Sequence, residues 1–231
     1  PAARKILFIQ CWFDSLKKLK PEDLNKSYHD LGYEDVTTCG DYLTSFVQAK
    51  MGIPAHTIRN GIDQTVFTPE PEKRIPGQVL VLSRKNYQDF QKIAAILKDE
   101  DIDFNVVDGL TQAELAQEYK KSDIFLATGY PEGFSLPPLE AMSSGCALVG
   151  FTGGGALEFM KHGETALVAD DGDCETAARH LRAVLQDTKL KERLRKTGLK
   201  KASEYSLENM EKAVVDYYSN LLNSSADEIA I

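Results

Sequence analysis

Residues 122–150 read SDIFLATGYPEGFSLPPLEAMSSGCALVG, and this stretch decides the fold. DIFLAT is an unbroken apolar run without polar alternation, and so is ALVGF from Ala147 onward. Runs of that kind are parallel strands covered by helices on both faces. Between them PLEAMSSG predicts a helix. Ser135 is a candidate N-cap, and Pro137 and Pro138 suit the first turn, where backbone N–H groups lack partners. The loop before it holds Glu132 next to Gly133, and Glu140 is expected in the first turn, where the helix dipole favours a carboxylate. Carboxylates are costly to bury. Helix-end electrostatics gives a reason for Glu140 but none for Glu132. Two carboxylates facing one crevice accept hydrogen bonds from a polyol such as a sugar or ribose.

The alternation continues on both sides. QVLVLS, DFNVVDG and TALVAD read as further strands, and FQKIAAILKD, TQAELAQEYKKS, ALEFMKHG and CETAARHLRAVLQD as helices, with helical sequence to about Asn223. Right-handed crossovers then predict an α/β, doubly wound parallel sheet of Rossmann-like type. Upstream, KILFIQCWF reads as a buried strand. A Lys-rich amphipathic stretch, DVTTCG as a strand, the helix-like DYLTSFVQAK, a turn at MGIP and HTIRNG follow. Pro69, Pro71 and Pro76 mark a linker or hinge. The predicted division is 1–68, 69–205, and a C-terminal helix and tail over 206–231, with NSSADEIAI frayed.

Composition narrows the function. The net charge of -8 over 231 residues opposes a nucleic-acid binder, which needs a basic stripe. Cys11, Cys39, Cys146 and Cys174 are widely spaced and form no Cys-x-x-Cys, which fits a reducing, cytoplasmic compartment. His29, His56, His162 and His180 show no ligand spacing, so no metal or other cofactor is expected. No run approaches the ~20 apolar residues of a membrane span. The chain begins at Pro1 without a methionine, as expected of a processed product or an excised fragment.

Open α/β sheets bind ligands outside the carboxyl ends of their strands. Four segments leave a predicted strand there. SRKN offers Arg84 as a fork and Lys85 as a point charge for a diphosphate. DGL offers Gly109. GYPEGFSLPP offers Glu132. TGGGALE offers Thr152, Gly153 and Gly154 ahead of a predicted helix, whose free N–H groups would meet an anion; it is not the Gly-x-Gly-x-x-Gly dinucleotide fingerprint.

Together these residues resemble the donor-binding half of retaining GT-B glycosyltransferases of family 4. The resemblance rests on Glu-x7-Glu in EGFSLPPLEAMSSGCALV, on GGGALEFMKHGETALVADDGD, and on the hinge-like RNGIDQTVFTP, and runs from about Asp35 to Tyr205. It implies that Glu140 holds ribose hydroxyls. Glu132 would contact the donor sugar or stabilise positive charge at its anomeric carbon. The backbone amides of Phe134, Ser135 and Leu136, beside Gly133, would meet sugar hydroxyls and phosphate. Arg84 would bind the diphosphate, and Glu158 corresponds to the glutamate after the paired glycines. Three positions depart from the family pattern: Ser83 stands for a glycine, Asp89 for a lysine and Leu157 for a proline.

The resemblance thus implies a retaining hexosyl- or deoxyhexosyltransferase in polysaccharide or glycoconjugate biosynthesis. Its substrates would be a nucleotide-diphosphate sugar and an acceptor sugar or glycan. The first 68 residues have room only for the end of an acceptor domain, which elsewhere supplies a catalytic histidine and any membrane-surface contact. A partner domain or subunit is therefore expected. The other reading is a nucleotide-sugar-binding module or subunit without catalysis of its own.

Overall fold

Eight strands in two parallel sheets form the frame of the computed structural model, which describes residues 4–12, 20–23, 26–52 and 54–229. The predicted Lys-rich amphipathic stretch lies largely outside them. The first sheet has the order β1 (Ile6–Ile9), β2 (Asp35–Thr38), β3 (His56–Thr57), with Ile6 opposite Asp35 and Thr37 opposite His56. Helix α1 (Asp41–Met51) joins β2 to β3 and ends at Gly52, whose φ of 63° gives the left-handed turn that favours glycine.

The second sheet has five strands. They are β4 (Ile75–Leu82), β5 (Phe104–Val107), β6 (Ser122–Ala127), β7 (Ala147–Gly150) and β8 (Leu167–Val168) in the order β5-β4-β6-β7-β8, all parallel. Helices α2 (Tyr87–Ile96), α3 (Gln112–Lys121), α4 (Leu136–Ser143), α5 (Cys174–Gln186) and α6 (Thr188–Ala202) fill the crossovers and the end of the series. Alternate residues of each strand feed two cores. Leu80, Phe125 and Leu148 pack with α3 and α4 and with Ile9, Val36 and Leu43 of the first sheet's layer. Val79, Val81, Ile124, Leu126 and Val149 pack with α2 and α5 on the other face. Side chains on both faces are buried, which is why these strands read as unbroken apolar runs.

Local chemistry sets several helix starts. Thr111 and Glu114 form a capping box at α3, and Asp173 and Asp187 accept the Thr176 and Leu190 amides at α5 and α6. The last helix, α7 (Leu207–Ile229), runs past Asn223, where helical sequence was expected to give way to a frayed tail. No glycine or proline interrupts NSSADEI, so nothing local stops it. It returns to the first sheet, where the Tyr217 hydroxyl donates to Asp35 at 2.8 Å.

The helix predicted over ALEFMKHG does not form. Residues 155–159 make turns, and the chain then breaks away because the Thr165 hydroxyl accepts the Lys161 amide at 2.8 Å and donates to the Phe159 carbonyl at 2.5 Å. One side chain thereby takes the donor and the acceptor that a continuing helix needs.

Candidate donor-binding site

In the second sheet the chain order reverses between β4 and β6, with β5 on one side and β7 on the other. A reversal of this kind opens a crevice at the carboxyl ends of the two strands. The segments leaving β4 and β6 converge there, and the crevice is lined by Arg84, Lys85, Thr128, Gly129, Glu132, Ser135 and Pro137. A wider cleft of about 260 Å³ continues toward β5, shares Leu82, Arg84 and Pro137 with the crevice, and adds Asp108, Gly109, Leu136 and Glu140. The two form one trough, with Arg84 at its middle.

Glu132 sits at the β6 end with its side chain 15% exposed. Its carboxylate oxygen Oε1 lies 2.8 Å from the Lys85 ammonium and 4.0 Å from the Arg84 guanidinium. Its amide donates to the Gly153 carbonyl at 2.8 Å, and Glu132 bridges to Gly154. Gly133 is required by a close approach: a Cβ there would collide with the Gln10 carbonyl and lie 2.9 Å from the Cys11 Cα. Phe134 turns inward onto Phe159 and Tyr205 and anchors the loop, and its backbone packs against Gly155.

Ser135 occupies the N-cap position of α4 and Pro137 its first turn, but the Ser135 hydroxyl makes no capping bond. Because α4 begins at Leu136, Glu140 is its fifth residue. The carboxylate therefore lies beyond the first turn expected from sequence, where the dipole effect has faded. It is instead half-buried between the trough and α3, accepting a 3.3 Å hydrogen bond from Tyr119. Burial pushes its pKa up to about 7, against the lowering effects of the Tyr119 bond and Arg84. Gly109, at φ 66°, turns the chain at the far end of the trough, with its amide on Asp108.

The glycine run is arranged differently from the sequence expectation. Without a helix after it, the loop has no helix N-terminus to offer. The Gly153 amide donates to Asp171 at 3.0 Å, and the Gly154 amide to the Thr152 hydroxyl at 3.4 Å. Burial raises the pKa of Asp171. Gly153 and Gly154 serve close packing: the first lies on the Gly129 carbonyl and Glu132, the second on the Tyr42 ring. Glu158 points away from the trough. Its Oε1 accepts the Tyr42 amide at 3.4 Å at the start of α1, and Arg59 lies 3.5 Å from its Oε2. Burial, then the nearby Asp41, raises its pKa.

Three residues at the site escape the sequence reading. Asp89 is 3% exposed. It accepts the Tyr130 hydroxyl at 2.6 Å and pairs with Lys92 at 2.8 Å. Burial acts to raise the Asp89 pKa, and these two bonds hold it below its ordinary value. Asn86, in the left-handed region at φ 51°, accepts the Tyr130 amide at 3.1 Å. Asp89 is visible in sequence only as a departure from the expected lysine, and Tyr130 carries no local signal. Asp-x-Asp triplets occur at 99–103 and 171–173. The first precedes β5, at the opposite end of the strands. In the second, Asp171 is bonded to Gly153 and Asp173 caps α5. Among the described residues no three His, Cys, Asp or Glu are grouped to hold a metal ion, and no helix is long and apolar enough to cross a membrane.

Residues 88–201 match the family model described as glycosyl transferases group 1. The O-antigen chain mannosyltransferase B of Escherichia coli is 32% identical over 108 residues, which cover 47% of this chain and 28% of that protein. The sucrose-phosphate synthase of Thermosynechococcus elongatus superposes with a TM-score of 0.73 at 15% identity, over 95% of this chain and 68% of that one. The Anabaena HepE structure, solved with UDP and glucose, gives a TM-score of 0.69 at 16% identity, over 81% of this chain and 64% of that one. The matches span less than two thirds of the length of the curated relatives, 28% of the mannosyltransferase. The chain therefore shares the GT-B glycosyltransferase fold, and its residues 88–201 carry the sequence pattern of the glycosyl transferases group 1.

Proposed function

We propose that this chain is the donor-binding portion of a glycosyltransferase that moves a hexose or deoxyhexose from a nucleotide-diphosphate sugar to an acceptor sugar or glycan, with retention. One observation carries the reading: Arg84, Lys85, Glu132 and Glu140 line a single trough at the strand reversal, cations at the middle and a carboxylate toward each end. That order suits a nucleotide sugar. Ribose hydroxyls donate to Glu140, the diphosphate lies on Arg84 and Lys85, and the sugar reaches Glu132. Charge on the departing diphosphate is neutralised by the two cations, without a metal, and Glu132 faces the positive charge that develops at the anomeric carbon. The relatives' printed activities, mannosyl transfer among them, and the UDP bound by Anabaena HepE support the same class.

Calorimetric titration with UDP-, GDP-, ADP- and dTDP-sugars tests the proposal. One of them should bind, and Glu140→Gln should weaken it about tenfold, the loss of roughly one charge-assisted hydrogen bond. Unchanged affinity would remove the ribose role, and no binding by any of the four would remove the reading. Binding without transfer or donor hydrolysis would mark a module that depends on another domain for catalysis.

A further inference from the structure

The two cations of the trough do not stand apart from its carboxylate. Lys85 Nζ lies 2.8 Å from Glu132 Oε1 and 3.3 Å from the Pro131 carbonyl, and Arg84 Nη2 lies 4.0 Å from the same Oε1. The Lys85 ammonium has three N–H donors, and Glu132 and the Pro131 carbonyl take two of them. A diphosphate seated on Arg84 and Lys85 competes with Glu132 for that ammonium. The partners differ in freedom. Glu132 is 15% exposed and fixed by its amide on Gly153, whereas Lys85 is 42% exposed on a flexible four-carbon stem. Lys85 is the group that moves.

We infer that Glu132 is an internal competitor of the diphosphate for the Lys85 ammonium, and that it thereby favours the nucleotide-sugar donor over the nucleoside diphosphate product. The inference rests on the donor-site reading above. When Lys85 turns to the phosphate, the half-buried Glu132 carboxylate loses its nearer cation and its hydrogen bond, and a poorly paired carboxylate in such a place is unfavourable. A sugar-bearing donor replaces that partner with hydroxyl donors; a nucleoside diphosphate, whose ribose hydroxyls lie at Glu140, has none to offer at Glu132. The carboxylate that serves the sugar therefore loosens the hold on the product left after transfer.

The test is a double-mutant cycle with inorganic pyrophosphate as the probe, in EDTA-containing buffer, on the full chain. The proteins are wild type, Glu132→Gln, Lys85→Met and the double variant. Glu132→Gln should bind pyrophosphate about three- to fivefold more tightly than wild type, the worth of one partly exposed ion pair. In the Lys85→Met background the same substitution should change nothing. Two results overturn the inference: pyrophosphate affinity that does not rise in Glu132→Gln, or a rise that persists without Lys85, which would reflect only the loss of a nearby negative charge. Circular dichroism of each variant confirms that it is folded. Absence of both pyrophosphate and nucleotide-sugar binding in wild type would instead overturn the donor-site reading and the inference with it.

Discussion

The Tyr130 hydroxyl donates to the Asp89 carboxylate at 2.6 Å, and this bond ties the loop that carries Glu132 to the first turn of α2. The Tyr130 amide is held on Asn86 in the same corner, and the ring packs edge-on against Phe151. Asp89 stands where the resemblance implies a lysine, and at this position the chain uses a carboxylate to hold a loop.

Removing the bond should loosen that loop. Tyr130→Phe is expected to destabilise the fold by about 1–2 kcal/mol, since Asp89 keeps Lys92 but loses one charge-assisted donor. Urea denaturation measures the loss. In the proposed binding mode, where only the sugar meets Glu132, affinity for a nucleotide sugar should fall more than affinity for its nucleoside diphosphate. An equal fall in both would show that the bond stabilises the fold without positioning Glu132.

Glu140 should give stability an inverse pH dependence. Its pKa is about 7 in the folded chain, raised chiefly by burial, against an ordinary value of 4.5. The folded state then holds a proton that the unfolded state releases. This contribution is fully present below about pH 4.5 and is lost as pH rises through about 7, on the order of 3 kcal/mol in all. Melting curves of wild type and Glu140→Gln across this window should diverge, the variant becoming relatively more stable toward neutral pH. Parallel curves would contradict the burial of the carboxylate.

Gly133→Ala should open the contact between the Glu132 loop and the end of β1. The added Cβ meets the Gln10 carbonyl and the Cys11 Cα, both backbone, so no side chain can swing aside. A cost of about 1–3 kcal/mol is expected from such overpacking. Thermal melting reads it, and a melting temperature equal to wild type would show that the loop and β1 part without cost.

Asp123 is the buried hub at the amino ends of the strands. It pairs with Lys191 at 2.6 Å and with Arg195, and accepts the Gly77 amide at 2.8 Å. Burial acts to raise its pKa, and these partners hold it below its ordinary value. Asp123→Asn leaves two cations short of a partner and should cost about 3 kcal/mol or more. Denaturant titration measures it, and nucleotide affinity should be unchanged because the hub lies at the end of the sheet opposite the trough.

Much of the architecture follows from short-range pattern. The apolar runs at β4, β6 and β7 imply parallel, doubly covered strands because a strand buried on both faces has no polar positions to alternate. The α3 capping box and the prolines at the start of α4 mark helix starts, since each acts within one turn of itself. The loop glutamate Glu132 stands out because nothing local explains a carboxylate there.

Side-chain contacts decided the rest, most of them tertiary. The helix predicted over ALEFMKHG fails because the Thr165 hydroxyl folds back on Lys161 and Phe159. Glu158 leaves the trough for the start of α1, 116 residues earlier in the chain, and Glu140 owes its raised pKa to burial, against the lowering effects of Tyr119 from another helix and of Arg84. Which cation reaches Glu132 depends on β4 and β6 lying side by side. Periodicity records whether a residue is buried, which is a property of its own segment. A carboxylate's partner and charge state depend on groups brought in from distant segments, and only the packed chain determines those.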